Sequence, residues 1–132
     1  MSVNILGKEY QIATTTELDL SYKNLTKMPK SIRMLTNLEV LNLSNNNLTS
    51  LSKSIQSLSI LQYLDLSYNN LTRLSESSYD INNLSIDCDT LVLTDIKNNI
   101  TNLPPILRTL YLKSDIDVDM IKLPYGCDII RF

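Results

Sequence analysis

At 132 residues, 43% hydrophobic and 20% charged, the chain has room for one domain that buries roughly two-thirds of its unfolded surface. A formal charge of −2 and a sequence pI near 5.0 give no net basic field to draw in nucleic acid or anionic lipid. Histidine is absent, which removes His-based triads and His-rich zinc sites, and no apolar stretch reaches the roughly 18 residues that span a bilayer.

The first residues carry no basic segment followed by a long apolar run, so no signal peptide is visible and a cytoplasmic protein is expected. From Val3 to Ile12 apolar and polar residues alternate around Leu6-Gly7. That predicts a β-hairpin cap within residues 1–14, with Gly7 supplying an unusual backbone angle at its turn. Residues 15–132 are expected to form about six repeats.

Leu38-x-x-Leu41-x-Leu43-x-x-Asn46-x-Leu48 returns as Leu61-x-x-Leu64-x-Leu66-x-x-Asn69-x-Leu71, a shift of 23 residues (64 − 41). One period earlier stands Leu18-x-Leu20-x-x-Lys23-x-Leu25, with Lys23 in the asparagine position. Ile32, Leu35 and Leu38, then Ile55, Leu58 and Leu61, follow at spacings of three. Such spacing suits a tight helical turn with one eclipsed apolar face. Beyond Leu74 the period slips. Cys88-x-x-Leu91-x-Leu93, Leu107-x-x-Leu110-x-Leu112 and Cys127-x-x-Ile130-x-Phe132 fit the strand template at intervals of 27, 19 and 20 residues after Leu64. The long interval reads as an enlarged loop over residues 76–84, and Asn98-Asn99-Ile100-Thr101 as an irregular turn. Leu103-Pro104-Pro105 and Leu123-Pro124 predict extended segments, because proline disfavours helix.

This pattern resembles the leucine-rich repeat. The first half is similar to the typical intracellular class, the second to short Leu-Pro repeats. The resemblance implies an α/β solenoid with about six parallel strands on a concave face, short helical or extended convex segments, and a polar cap at each end. No cap follows Phe132, so the last strand is expected to leave an open edge.

Within that family Asn46 and Asn69 correspond to the structural asparagine ladder, whose side chains bond the backbone of neighbouring turns. Cys88 and Cys127 both fall in leucine slots of nonadjacent strands, which predicts reduced core thiols out of bonding reach of each other. Six Asn-x-Ser/Thr matches, among them Asn24, Asn47 and Asn70, arise from the repeat consensus and are expected to be unused. The carboxylates at Asp87, Asp89 and Asp95 and at Asp115, Asp117 and Asp119 lack the glycine and distal glutamate of a calcium loop and read as solvated. With two isolated glycines and no phosphate-loop pattern, neither an enzyme nor a cofactor is expected.

The residues between and beside the strand leucines form columns across the concave face. The central column is Asp19, Asn42, Asp65, Val92, Tyr111 and Arg131. Acid gathers toward the N-terminal repeats, where Glu17, Asp19 and Asp65 accompany Tyr22, Tyr63 and Tyr68; Lys113 lies beside Tyr111 at the other end. Tyrosine combines contact area with a polar tip and is enriched at interfaces. The expected function is therefore a non-enzymatic interaction module that binds a protein partner, not nucleic acid or membrane, through these residues and adjoining loops. Six strands of about four residues span roughly 29 by 13 Å, below the usual ~800 Å² per partner. An alternative is an assembly module that self-associates through its uncapped C-terminal edge strand, and the chain is expected to be a monomer or a weak homodimer through that edge.

Overall fold

The structure, a computed structural model, describes residues 1–71, 88–94, 103, 106–116, 119, 121 and 123–132. Among the described residues there are two sheets: an antiparallel hairpin, β1 (Ser2–Ile5) with β2 (Lys8–Gln11), and six parallel strands in chain order. These are β3 (Glu17–Asp19), β4 (Val40–Asn42), β5 (Tyr63–Asp65), β6 (Thr90–Leu93), β7 (Thr109–Leu112) and β8 (Asp128–Arg131). Parallel strands need a crossover between them. The first two crossovers each contain a 3-10 helix, Lys30–Met34 and Lys53–Ser57. The result is a solenoid with little helix.

Register follows the leucines. Leu18, Leu41, Leu64, Leu91 and Leu110 pair across β3 to β7, and all five are buried. Since side chains alternate along a strand, this row commits Leu20, Leu43, Leu66, Leu93 and Leu112 to the same core. Opposite the sheet, the N–H groups of Leu35 and Leu38 donate to Ile32 and Leu35 three residues back, at 3.0 Å each. Leu58 and Leu61 repeat this with Ile55 and Leu58. Three residues per turn keep these aliphatic side chains on one line, and all six are buried.

The hairpin closes the N-terminal end of the core. Ile5 is buried, and Val3, Tyr10 and Ile12 pack partly against the same cluster. Ile5 pairs with Lys8, so the loop is two residues, with Leu6 at φ 53° and Gly7 at φ 84°. Two consecutive positive φ angles define a type I′ turn, whose twist matches the flanking strands. The Gly7 N–H donates to Asn4 Oδ1 at 3.0 Å and fixes the turn further.

The last strand is one residue out of the predicted phase. Ile129, not Ile130, joins the Leu110 row, so the interval is again 19 residues (129 − 110). Ile129 packs partly on the core, while Ile130 and Phe132 are exposed. The shift is taken up before β8, where the Cys127 N–H donates to the Pro124 carbonyl at 3.2 Å around Tyr125-Gly126. Gly126 has φ 76°, the angle a type II turn requires at its third residue. Cys127 consequently leaves the leucine slot and is only half-buried, whereas Cys88 occupies its slot fully buried; the two are not bridged. The loop at 76–84, the turn at 98–101, Pro104, Pro105 and the carboxylates of Asp87, Asp95 and Asp117 lie outside the described residues.

Candidate interaction surface

Strands β3, β4 and β5 each end in the same local device. Asp19, Asn42 and Asp65 accept, through Oδ1, the backbone N–H two residues on, from Ser21, Ser44 and Ser67, each at 2.9 Å. The next residue, Tyr22, Asn45 or Tyr68, takes a left-handed φ of 53° to 55°. Its N–H then reaches the following repeat, from Tyr22 to the Ser44 carbonyl, from Asn45 to the Ser67 carbonyl and from Tyr68 to Thr94 Oγ1. The chain is thereby turned off the sheet into the asparagine loop.

There Asn46 spans two repeats. Its Oδ1 accepts from Lys23 and Leu25 N–H at 3.1 and 2.9 Å, and its Nδ2 donates to the Leu20 and Leu43 carbonyls at 2.8 and 3.0 Å. Asn69 repeats the arrangement one period on, with Leu48 N–H at 2.9 Å and the same Leu43 carbonyl at 2.9 Å. Both are buried, and no buried side-chain polar atom among the described residues lacks a partner. The two asparagines thus tie the backbone of neighbouring repeats together.

The outward face of β3 to β5 holds most of the residues expected there. Glu17, Asp19, Tyr63 and Asp65 line one depression of about 410 Å³ with Val40 and Asn42. Hydrogen bonds from Ser21, its side chain first and its N–H second, hold the Asp19 carboxyl below the ordinary carboxylate range. Tyr63 is pushed the other way by burial, and then by the charge of Asp65 and the nearby Tyr111, so its hydroxyl keeps its proton. Tyr22 and Tyr68 stand exposed at the strand exits, 74% and 50% accessible.

Three expected residues fare differently. Tyr111 lies in register with Val92 and near Tyr63, but outside the depression. Lys113 pairs with Asp115 at 3.7 Å, both well exposed. Arg131 does not occupy the central column: the one-residue shift places Ile130 opposite Tyr111. The Arg131 guanidinium instead folds back to donate to the Lys113 and Ile116 carbonyls. Ile130 is the residue missed, and the preceding 19-residue interval was the signal for it. A second hollow of about 520 Å³, beside the starts of β7 and β8, mixes Arg108 with Asp128 and has no single sign.

Among the described residues no group of three or more Cys, Asp or Glu side chains could hold a metal ion, and no helix is long and apolar enough to cross a membrane. Two leucine-rich-repeat family models match the sequence, over residues 13–71 and 61–110. The chain belongs to the leucine-rich-repeat family, a fold generally used for protein–protein interaction and typically non-enzymatic. No curated protein and no solved structure matches it.

Proposed function

We propose that the chain is a non-enzymatic module that holds a basic protein surface against the outward face of β3 to β5. The observation that carries this reading is Asn42. It makes the same bond to the N–H two residues on as Asp19 and Asp65 do, at the same 2.9 Å, without a charge. The strand exit therefore needs a side-chain oxygen, not a carboxylate. The two carboxylates, with Glu17, supply negative charge in a depression lined by no lysine or arginine.

The tyrosines point the same way. A left-handed backbone disfavours residues other than Gly, Asn and Asp, by roughly 1–2 kcal/mol. Asn45 fits that position, and Tyr22 and Tyr68 do not. Strained residues at an exposed site support a functional reading, here large amphipathic side chains at the exits of the strands that carry the acidic residues. Neutral Tyr63 would donate a hydrogen bond from within it.

Affinity capture with the wild-type chain and a Tyr63→Ala/Asp65→Ala variant tests the proposal. A partner retained by the first and lost by the second is expected. Equal recovery by both would move the binding surface elsewhere.

A further inference from the structure

Sorting the charges of residues 15–71 by their place in the repeat gives a clean division. On the strands and the residues that lead into and out of them (15–22, 38–45 and 61–68), every charge is acidic: Glu17, Asp19, Glu39 and Asp65. On the turns and 3-10 segments between them (23–37 and 46–60), every charge is basic: Lys23, Lys27, Lys30, Arg33 and Lys53. Lys23 sits at the boundary, where its charge helps hold Asp19 ionised. The other four are exposed on the side away from the strands, and none forms an ion pair among the described residues. The five basic and four acidic charges of this stretch thus nearly cancel in number while standing on two faces of opposite sign.

The division is not a requirement of the fold. Lys30 and Lys53 occupy equivalent positions one 23-residue period apart (53 − 30), and Arg33 lies one 3-10 turn beyond Lys30. Exposed positions on such turns accept either sign. Packed layers lie about 10 Å apart, more than the ~8 Å screening length at physiological salt. The acidic face therefore does little to cancel the field of the basic one.

We infer that the basic face of one copy docks on the acidic strand face of a second copy, in a nested, head-to-tail stack. This deepens the proposed function by naming a partner for the same depression, and it rests on that reading. Two features favour a second copy. The basic set follows the first two of the three strands that carry the acidic set, so stacking one copy over the next brings them opposite each other with little sliding. The depression between Glu17, Asp19, Tyr63 and Asp65, about 410 Å³, is open to a lysine or arginine side chain. The contact uses different patches on the two copies, so it is heterologous and propagates rather than closing as a two-fold dimer. It does not involve the edge of β8.

Sedimentation velocity of the wild-type chain at about 0.01 M and about 1 M ionic strength, where screening lengths are ~30 Å and ~3 Å, reads it directly. Association that rises with concentration at low salt and vanishes at high salt is expected. Two charge-reversed chains supply the second measurement, Lys30→Glu/Lys53→Glu and Glu17→Lys/Asp65→Lys. Each keeps one face intact and, Lys23 at the boundary aside, cancels the net charge of the other. There only Lys27 and Arg33, or only Asp19 and Glu39, still carry the original sign, and each variant should be monomeric alone. An equimolar mixture should associate again, at least tenfold more tightly than either variant alone. A wild-type chain that stays monomeric at low salt, or association that either variant leaves unchanged, overturns the stacking proposal. Loss of a captured basic partner by Tyr63→Ala/Asp65→Ala, alongside a monomeric wild type, would leave the strand-face reading standing and remove only this one.

Discussion

Residues 15–71 and residues 88–132 build the same parallel sheet by different means. In the first stretch each 23-residue turn carries a 3-10 segment, and Asn46 and Asn69 tie one repeat to the next. In the second, the rows repeat at 19 residues (110 − 91 and 129 − 110), the asparagine is missing from the strand exits, and the strand ladder with its aliphatic row carries the register. A strand ladder needs only the Leu-x-Leu alternation. The turns between strands can therefore vary widely while the sheet continues.

Core truncation should separate the two stretches most strongly. Leu64→Ala, in the middle of the buried row, should cost about 2–5 kcal/mol, because its neighbours on β4 and β6 hold the cavity open. Ile130→Ala, on an exposed position of the last strand, should cost less than about 0.5 kcal/mol. Urea denaturation of both variants checks the phase of β8. A larger loss for Ile130 than for Ile129→Ala would restore the original template.

Next comes the ladder. Asn46→Ala strips partners from the Lys23 and Leu25 N–H groups and from the Leu20 carbonyl, and the variant should lose roughly 2–3 kcal/mol. The amides of residues 20–25 should then exchange faster with solvent than those of β7. Uniform acceleration along the chain would mean that the asparagines do not set the cohesion of the regular half.

The 23-residue half was legible because several apolar positions and one asparagine recur together, and no other fold demands that combination. The final strand was not, since the adjacent Ile129 and Ile130 satisfy either phase of a two-residue alternation. Deciding between them needed the turn at Tyr125-Gly126, whose backbone angle absorbs the shift. The acidic column was readable for the same reason as the leucines. Its end at Arg131 failed with the phase. The left-handed tyrosines were hidden as well, because Asn45 signals such an angle and tyrosine does not.

Those tyrosines yield a smaller effect of opposite sign. Tyr68→Asn should stabilise the chain by up to about 1 kcal/mol, by relieving a φ of 53° that asparagine accepts more readily. The same variant should capture less partner. A substitution that raises the urea midpoint while weakening binding would place Tyr68 among residues kept for contact rather than for folding. Thiol labelling offers a companion check on the two halves. Cys127, half-buried with its thiol pKa raised by burial and by Asp128, should still react faster in the folded chain than fully buried Cys88.

The smallest effect concerns the charge at Asp19. Asparagine can make the bond that Asp19 makes to Ser21, as Asn42 does to Ser44, so Asp19→Asn should change stability by only a few tenths of a kcal/mol near neutral pH. The variants should part on acidification. The Asp19 carboxyl is held below its ordinary value of 3.8 in the folded chain, chiefly by bonds from Ser21. Its contribution is therefore complete above that value and is lost as pH falls through the lower folded value. Wild type should lose slightly more stability than Asp19→Asn between about pH 5 and pH 2. Parallel curves would show that the carboxylate gains nothing from Ser21 that an amide does not, leaving its charge entirely for the strand face.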